Sequence, residues 1–161
     1  MGSEMSQLFA EVGLSVSAFD VQGDNVDALL KTISSPDSIA PEAHSRIQGF
    51  KSYEEFVQSL GGKDEKKLFL LSIKHGSPAD EVLRSLQPWL REGDVILDGG
   101  NEWYQNTERR QAELAKRGVQ YIGMGVRLFL ILSNTQPQSQ KITGLRWISI
   151  SAPRPIAFSR R

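Results

Sequence analysis

Along the chain, stretches in which apolar residues recur with a helical period alternate with short apolar runs. Met5, Leu8, Phe9 and Val12 fall at i, i+3, i+4 and i+7, which predicts a helix opening almost at the first residue and closed by a left-handed Gly13. Residues 14–20 predict a strand, and Asp24 is placed to cap a second helix with Val26, Leu29, Leu30 and Ile33 on one face. Turn formers fill 34–41, and 46–50 is a weak strand candidate. Ser52 and Glu55 form a capping box before a short helix bearing Tyr53, Phe56, Val57 and Leu60, stopped by Gly61 and Gly62.

The apolar run 68–73, behind the charged residues 63–67, suits a central strand buried on both faces. Ser77 as cap and Pro78 at the first helical position predict a helix with Ala79, Val82, Leu83, Leu86 and Leu90 inward, ending near Gly93. Residues 95–98 are the next buried strand, 104–117 a polar helix closed by Gly118, and 119–123 one more short strand. Strands and helices alternating through short loops predict an α/β fold, a doubly wound parallel sheet with helices on both faces. The alternation stops after residue 126. Residues 127–161 hold one apolar burst at 128–132, a Gln/Ser/Thr/Pro-rich stretch and a basic end, and are expected to be irregular or disordered.

Composition narrows the chemistry. The 161 residues, 39% apolar, can bury one core but leave no length for a second full domain. Nineteen basic and nineteen acidic residues leave no net charge, so neither nucleic acid nor an anionic membrane is an expected partner. The absence of cysteine excludes disulfides, thiol nucleophiles and thiolate metal sites, and the two histidines, His44 and His75, are too few for a histidine-rich zinc site. The first residues show no signal-peptide features and no stretch is long enough to span a bilayer, so a cytoplasmic location is the expectation.

In a doubly wound sheet, ligands bind beyond the carboxyl ends of the strands. Met1-Gly2 stands where a dinucleotide fingerprint would finish, just before a helix whose free amides suit a pyrophosphate. Asp20 ends the next strand eighteen positions later, a spacing at which an acidic residue can bond an adenosine ribose; equally, it can simply begin a turn. Ile73-Lys74-His75-Gly76 leaves the central strand, where Lys74 and His75 either face a cofactor or are ordinary solvated side chains. In the segment Asp98-Gly99-Gly100-Asn101-Glu102-Trp103-Tyr104, paired glycines permit close backbone approach, and the Asn101 amide offers a donor and an acceptor to a nicotinamide or a sugar hydroxyl.

Residues 98–110, with Ile73-Lys74-His75-Gly76-Ser77-Pro78-Ala79-Asp80 and the strand 118–126, resemble in order three motifs of the 6-phosphogluconate dehydrogenases. Over residues 1–126 the resemblance implies a partial, Rossmann-like dinucleotide-binding domain lacking its first strand. It implies NADP as cofactor, with Gly2, Asp20, Val21, Gln22, Ile73, Lys74, His75 and Asn101 in contact with it. Asn101 would also touch the substrate, 6-phosphogluconate or a related sugar acid. The family oxidises that substrate with loss of carbon dioxide in the pentose phosphate pathway, as a homodimer built through a helical domain that also carries its general-base lysine and general-acid glutamate.

Three departures qualify the resemblance. Only Met1-Gly2 remains of the family's Gly-x-Ala-x-Met-Gly-x-Asn fingerprint, with Glu4 in place of the Asn. Asp20-Val21-Gln22 replaces the Asn-Arg-Thr of NADP-selective members, so the arginine for a 2′-phosphate is absent, a carboxylate would repel that phosphate, and NAD is open. After Val126 the expected Ser-Gly-Gly and helical domain give way to 127–161, so no catalytic residue is expected here. The expectation is an inactive cofactor-domain fragment. The alternatives are a non-catalytic nucleotide-binding module, a mis-spliced or frame-shifted gene product, or a member of the related hydroxyisobutyrate-type dehydrogenases. Strands 14–20 and 68–73 would flank the missing strand, and 128–132 is a candidate to fill the gap.

Overall fold

A computed structural model describes residues 2–35, 41–62, 65–124 and 146–151. The order of elements is α1 (Gly2–Glu11), β1 (Ser15–Phe19), α2 (Gly23–Ile33), α3 (Pro41–His44), β2 (Ile47–Phe50), α4 (Tyr53–Gln58), β3 (Leu68–Ser72), α5 (Ser77–Leu86), β4 (Val95–Asp98), α6 (Tyr104–Ala115), β5 (Gln120–Gly123) and β6 (Arg146–Ser151). Six strands form one sheet in the order β2-β1-β6-β3-β4-β5. All neighbours are parallel except β6, which runs antiparallel between β1 and β3. This is the doubly wound order 3-2-1-4-5-6, with the place of its first strand taken by β6.

Alternating side chains send each central strand to both helical layers. Leu70 joins Val16, Ala18 and Ile47 under α1, α2 and α3, whereas Phe69 and Leu71 join Phe19, Phe56, Leu83 and Leu114 under α4, α5 and α6. Each large side chain so buried contributes about 1.5–3 kcal/mol, and burial on both faces accounts for the apolar run in β3.

Helix boundaries hold some corrections. Gly13 and Gly118 take positive φ, as expected, and Ser52 accepts a hydrogen bond from the Glu55 amide. Asp24, however, does not cap α2: the helix begins at Gly23 after Gln22, and Asp24 sits in its first turn. Ser77 is likewise not the cap of α5. Gly76 is, with φ 89°, and Ser77 is already helical. That helix ends at Leu86 rather than near Gly93, because the Pro88 ring opposes a carbonyl four residues back. Pro41, expected in a loop, opens the four-residue α3.

The flanking of the first-strand position by β1 and β3 is as expected, but the position is filled. Arg146 lies opposite Ser72, and Trp147 opposite both Phe19 and Leu71. The filling segment comes from the tail read as irregular, and it is 146–151; residues 128–132 lie outside the described residues.

Candidate functional site

Parallel pairing brings the carboxyl ends of β1, β3, β4 and β5 to one edge of the sheet, so the turns after Phe19, Ser72, Asp98 and Gly123 share that edge. Asp20 is 3% exposed and accepts the Gln22 amide hydrogen at 2.8 Å. Gly2, at the start of α1, and Asp20 line a small cavity of about 20 Å³ with Ser6, Asn25 and Val26. Val21 and Gln22 are exposed on the same turn. Lys51 crosses this turn, its stem against Gly23, but its ammonium is held by Asp27 at 2.7 Å.

On the other side of β6, the turns after β3 and β4 adjoin. The Gly99 amide donates to the Leu71 carbonyl at 2.8 Å, and a Cβ added to Gly100 would lie 3.1 Å from the Ile73 carbonyl oxygen. A side chain there would force one of the two turns to give by a few tenths of an ångström. The Ile73 side chain packs in the core, so its backbone alone faces the turn, whereas Lys74 and His75 are exposed. Asn101 is exposed at a cavity of about 300 Å³, lined also by Gly100, Tyr104, Thr107, Gly123 and Met124. Thus Ile73, Lys74, His75 and Asn101 come together, Gly2, Asp20, Val21 and Gln22 form a second group, and β6 separates the two.

A buried ionic network supports the first group. The Arg110 side chain has no exposed surface. Its Nε donates to Asp80 at 2.9 Å, Nη1 to Glu102 at 2.6 Å and Nη2 to the Gly76 carbonyl at 2.9 Å. Glu102 also accepts the amide hydrogens of Gly76 and Trp103 and a side-chain hydrogen of Asn106. Burial pushes the Glu102 carboxyl up, but these donors outweigh it and hold the group at about 2. Burial works against the Arg110 charge too, yet the bonds to Asp80 and Glu102 raise its pKa further. The Tyr121 hydroxyl donates to Asp98, and burial, aided by that carboxylate, raises its pKa. Asp98 in turn accepts the Gly100 amide hydrogen at 2.9 Å and so shapes the glycine turn.

Residues 1–127 match the family described as the NAD binding domain of 6-phosphogluconate dehydrogenase. The chain belongs to that family. It is 49% identical over 126 residues to the decarboxylating 6-phosphogluconate dehydrogenase of Emericella nidulans, covering 78% of this chain and 24% of that protein. It is 38% identical, over the same shares, to a protein of Bacillus subtilis named as the NAD(+)-dependent, decarboxylating enzyme. A solved structure of Plasmodium falciparum 6-phosphogluconate dehydrogenase, determined apo, with its cofactor NADP+ and with its substrate 6-phosphogluconate, superposes with a TM-score of 0.62 at 27% identity, covering 75% of this chain and 24% of that one. The chain therefore spans about a quarter of the length of these relatives.

The side chains on this NAD-binding domain suit a nicotinamide dinucleotide. Asp20 can accept from a ribose hydroxyl, the first amides of α1 can face a pyrophosphate, and Asn101 can pair with a carboxamide. The two ends are unequal, since about 20 Å³ lies between Gly2 and Asp20 and about 300 Å³ beside Asn101. Arg110 was legible only as part of a polar helix. Its signal is its position four residues before Leu114, on the inward stripe of α6, where the two are the buried residues.

Proposed function

We propose that the chain holds a nicotinamide dinucleotide along the carboxyl edge of its sheet, as the cofactor-binding part of a 6-phosphogluconate dehydrogenase. The carrying observation is the adjoining of the Ile73 and Gly100 turns, a Cβ at Gly100 being 3.1 Å from the Ile73 carbonyl oxygen. It supports a site in which the Lys74 and His75 turn and the Asn101 amide face one ligand, the nicotinamide half and a sugar acid such as 6-phosphogluconate. The adenosine half then lies against Gly2, Asp20, Val21 and Gln22. The buried Asp20 carboxylate and the engagement of Lys51 with Asp27 favour NAD over the NADP expected from the resemblance. The setting we propose is the cytoplasm and the pentose phosphate pathway.

Turnover is a separate matter. The reaction needs a base for the hydroxyl proton and an acid for the enediol carbon, each worth about two to four orders of magnitude in rate. The family resemblance assigns both to its helical domain, so residues 1–127, which match the NAD binding domain, are read as binding cofactor without supplying either group. Calorimetric titration with NAD and NADP tests the binding, and an assay of 6-phosphogluconate oxidation tests the rest. Flat titrations with both cofactors would end the first claim, and measurable turnover by the purified chain would end the second.

A further inference from the structure

The Gly76 peptide is gripped from both sides by the ionic network. Its amide hydrogen goes to Glu102 Oε2 at 2.8 Å, and its carbonyl receives Arg110 Nη2 at 2.9 Å. Gly76 also has φ 89° and ψ −144°, a conformation that residues with a side chain avoid. The same Glu102 follows Asn101 directly, and its other oxygen accepts from Trp103 and Asn106 at 2.9 Å. One carboxylate and one guanidinium therefore tie the end of the Lys74 and His75 turn to the start of the Asn101 loop. The Arg110 side chain is 0% exposed, and that of Glu102, on the wall of the Asn101 cavity, is 5% exposed with both oxygens already accepting hydrogen bonds. An apolar residue four before Leu114 would fill this position on α6 without the desolvation cost of a charge, so the guanidinium has to be explained by what it holds.

We infer that Arg110, acting through Glu102 and the Gly76 peptide, is a positioning residue that keeps these two loops as one unit and thereby sets affinity for the nicotinamide half of the dinucleotide. The inference rests on the cofactor reading above. Gly2 and Asp20 lie across β6 and share no bond of this network, so the adenosine half is held independently. Preorganisation of this kind acts on the ligand group that spans both loops.

The test uses the full 161-residue chain as wild type, Arg110→Lys, Glu102→Gln and Asp80→Asn. Each is titrated with NAD and NADP and with the matching fragments lacking nicotinamide, ADP-ribose and 2′-phospho-ADP-ribose, and amide exchange is followed at residues 74–76 and 100–103. Arg110→Lys and Glu102→Gln are expected to weaken the dinucleotide about tenfold, to leave the fragment within about twofold, and to speed exchange in both loops. Asp80→Asn removes a carboxylate from the same guanidinium outside the loops, and should lower stability without changing the dinucleotide-to-fragment ratio. Equal losses for dinucleotide and fragment, an unchanged dinucleotide affinity, or a ratio moved as much by Asp80→Asn would overturn the inference. Should Arg110→Lys fail to fold, the isosteric Glu102→Gln decides alone. Should the wild type bind none of the four ligands, the cofactor reading fails, and exchange still judges the coupling, which unaltered protection in Glu102→Gln would refute.

Discussion

Glu102 Oε2 receives Arg110 Nη1 at 2.6 Å, and the guanidinium that donates has no exposed surface. Burial alone would raise the Glu102 pKa, but Asn106, the Gly76 amide, Arg110 and the Trp103 amide bring it from the ordinary 4.5 to about 2. The folded state thus binds a proton here less readily than the unfolded chain. This contribution to stability is complete above about pH 4.5 and is lost as pH falls towards about 2. Asp80, lowered first by its hydrogen bond from Arg110, works in the same direction. Urea midpoints measured across this range should fall less steeply in Glu102→Gln than in wild type, and identical slopes would show that the pair is not linked to folding.

Removing the cation tests the network from the other side. Arg110→Met keeps the stem but takes the buried cation from Glu102, bonded at 2.6 Å, while Asp80 keeps Arg109 at 2.8 Å. Breaking a buried pair by removing one partner costs about 3–5 kcal/mol. Denaturant unfolding should show a loss of that order, and a loss below about 1 kcal/mol, the range of exposed pairs, would contradict the buried geometry.

The network also marks where reading the chain alone runs short. Helical periods and apolar runs identify α1, α2, α4 to α6 and the strands β1 to β5, because each buries a repeating stripe or both faces of a strand. The four residues of α3 are too short to show a period. The place of β6 depends on pairing with β1 and β3, which no local pattern encodes. Glu102 and Arg110 are charges, and charges are assigned to solvent by default. Their burial follows from the Gly76 turn, which is distant in sequence. Of the candidate site, the Asn101 and Lys74 turns were legible because glycines and strand ends advertise them. That the Ile73 side chain faces inward was not.

Gly100→Ala probes the closeness of the two turns. The added methyl would meet Asp98 Oδ1 at 3.0 Å and the Ile73 carbonyl oxygen at 3.1 Å, and a backbone carbonyl yields poorly. A cost of about 1–3 kcal/mol is expected from overpacking, together with weaker binding of the dinucleotide. Gly62→Ala, which meets nothing within 4 Å, serves as control and should stay within about 0.5 kcal/mol of wild type. Equal behaviour of the two variants in unfolding and titration would argue against the tight approach.

The sheet depends on β6 in a way that a backbone change can reveal. Ile148 lies opposite Ala18 on β1 and Leu70 on β3, so Ile148→Pro removes an amide donor from the middle of the sheet. Opening β1 and β3 exposes strand edges that pair with other chains. Light scattering should rise and the unfolding midpoint fall in the variant. A proline chain as soluble and as stable as wild type would show that β6 contributes nothing to the fold.

Cofactor choice can be tested at Asp20 and Val21. Asp20 is 3% exposed beside Gly2, Val21 is 50% exposed, and the Lys51 ammonium near this turn is held by Asp27. A 2′-phosphate would therefore meet a carboxylate beside a Lys51 ammonium that is already paired, while a ribose hydroxyl would find an acceptor. Asp20→Asn leaves an oxygen to accept the Gln22 amide hydrogen, so the turn should survive. Combined with Val21→Arg, it removes the repulsion and supplies a charged donor worth about 1.5–3 kcal/mol, or roughly ten- to a hundredfold in affinity. Wild type is expected to bind NAD more tightly than NADP in parallel titrations, and the double variant to move that ratio towards NADP. A wild type that prefers NADP would mean that Asp20 does not face the ribose.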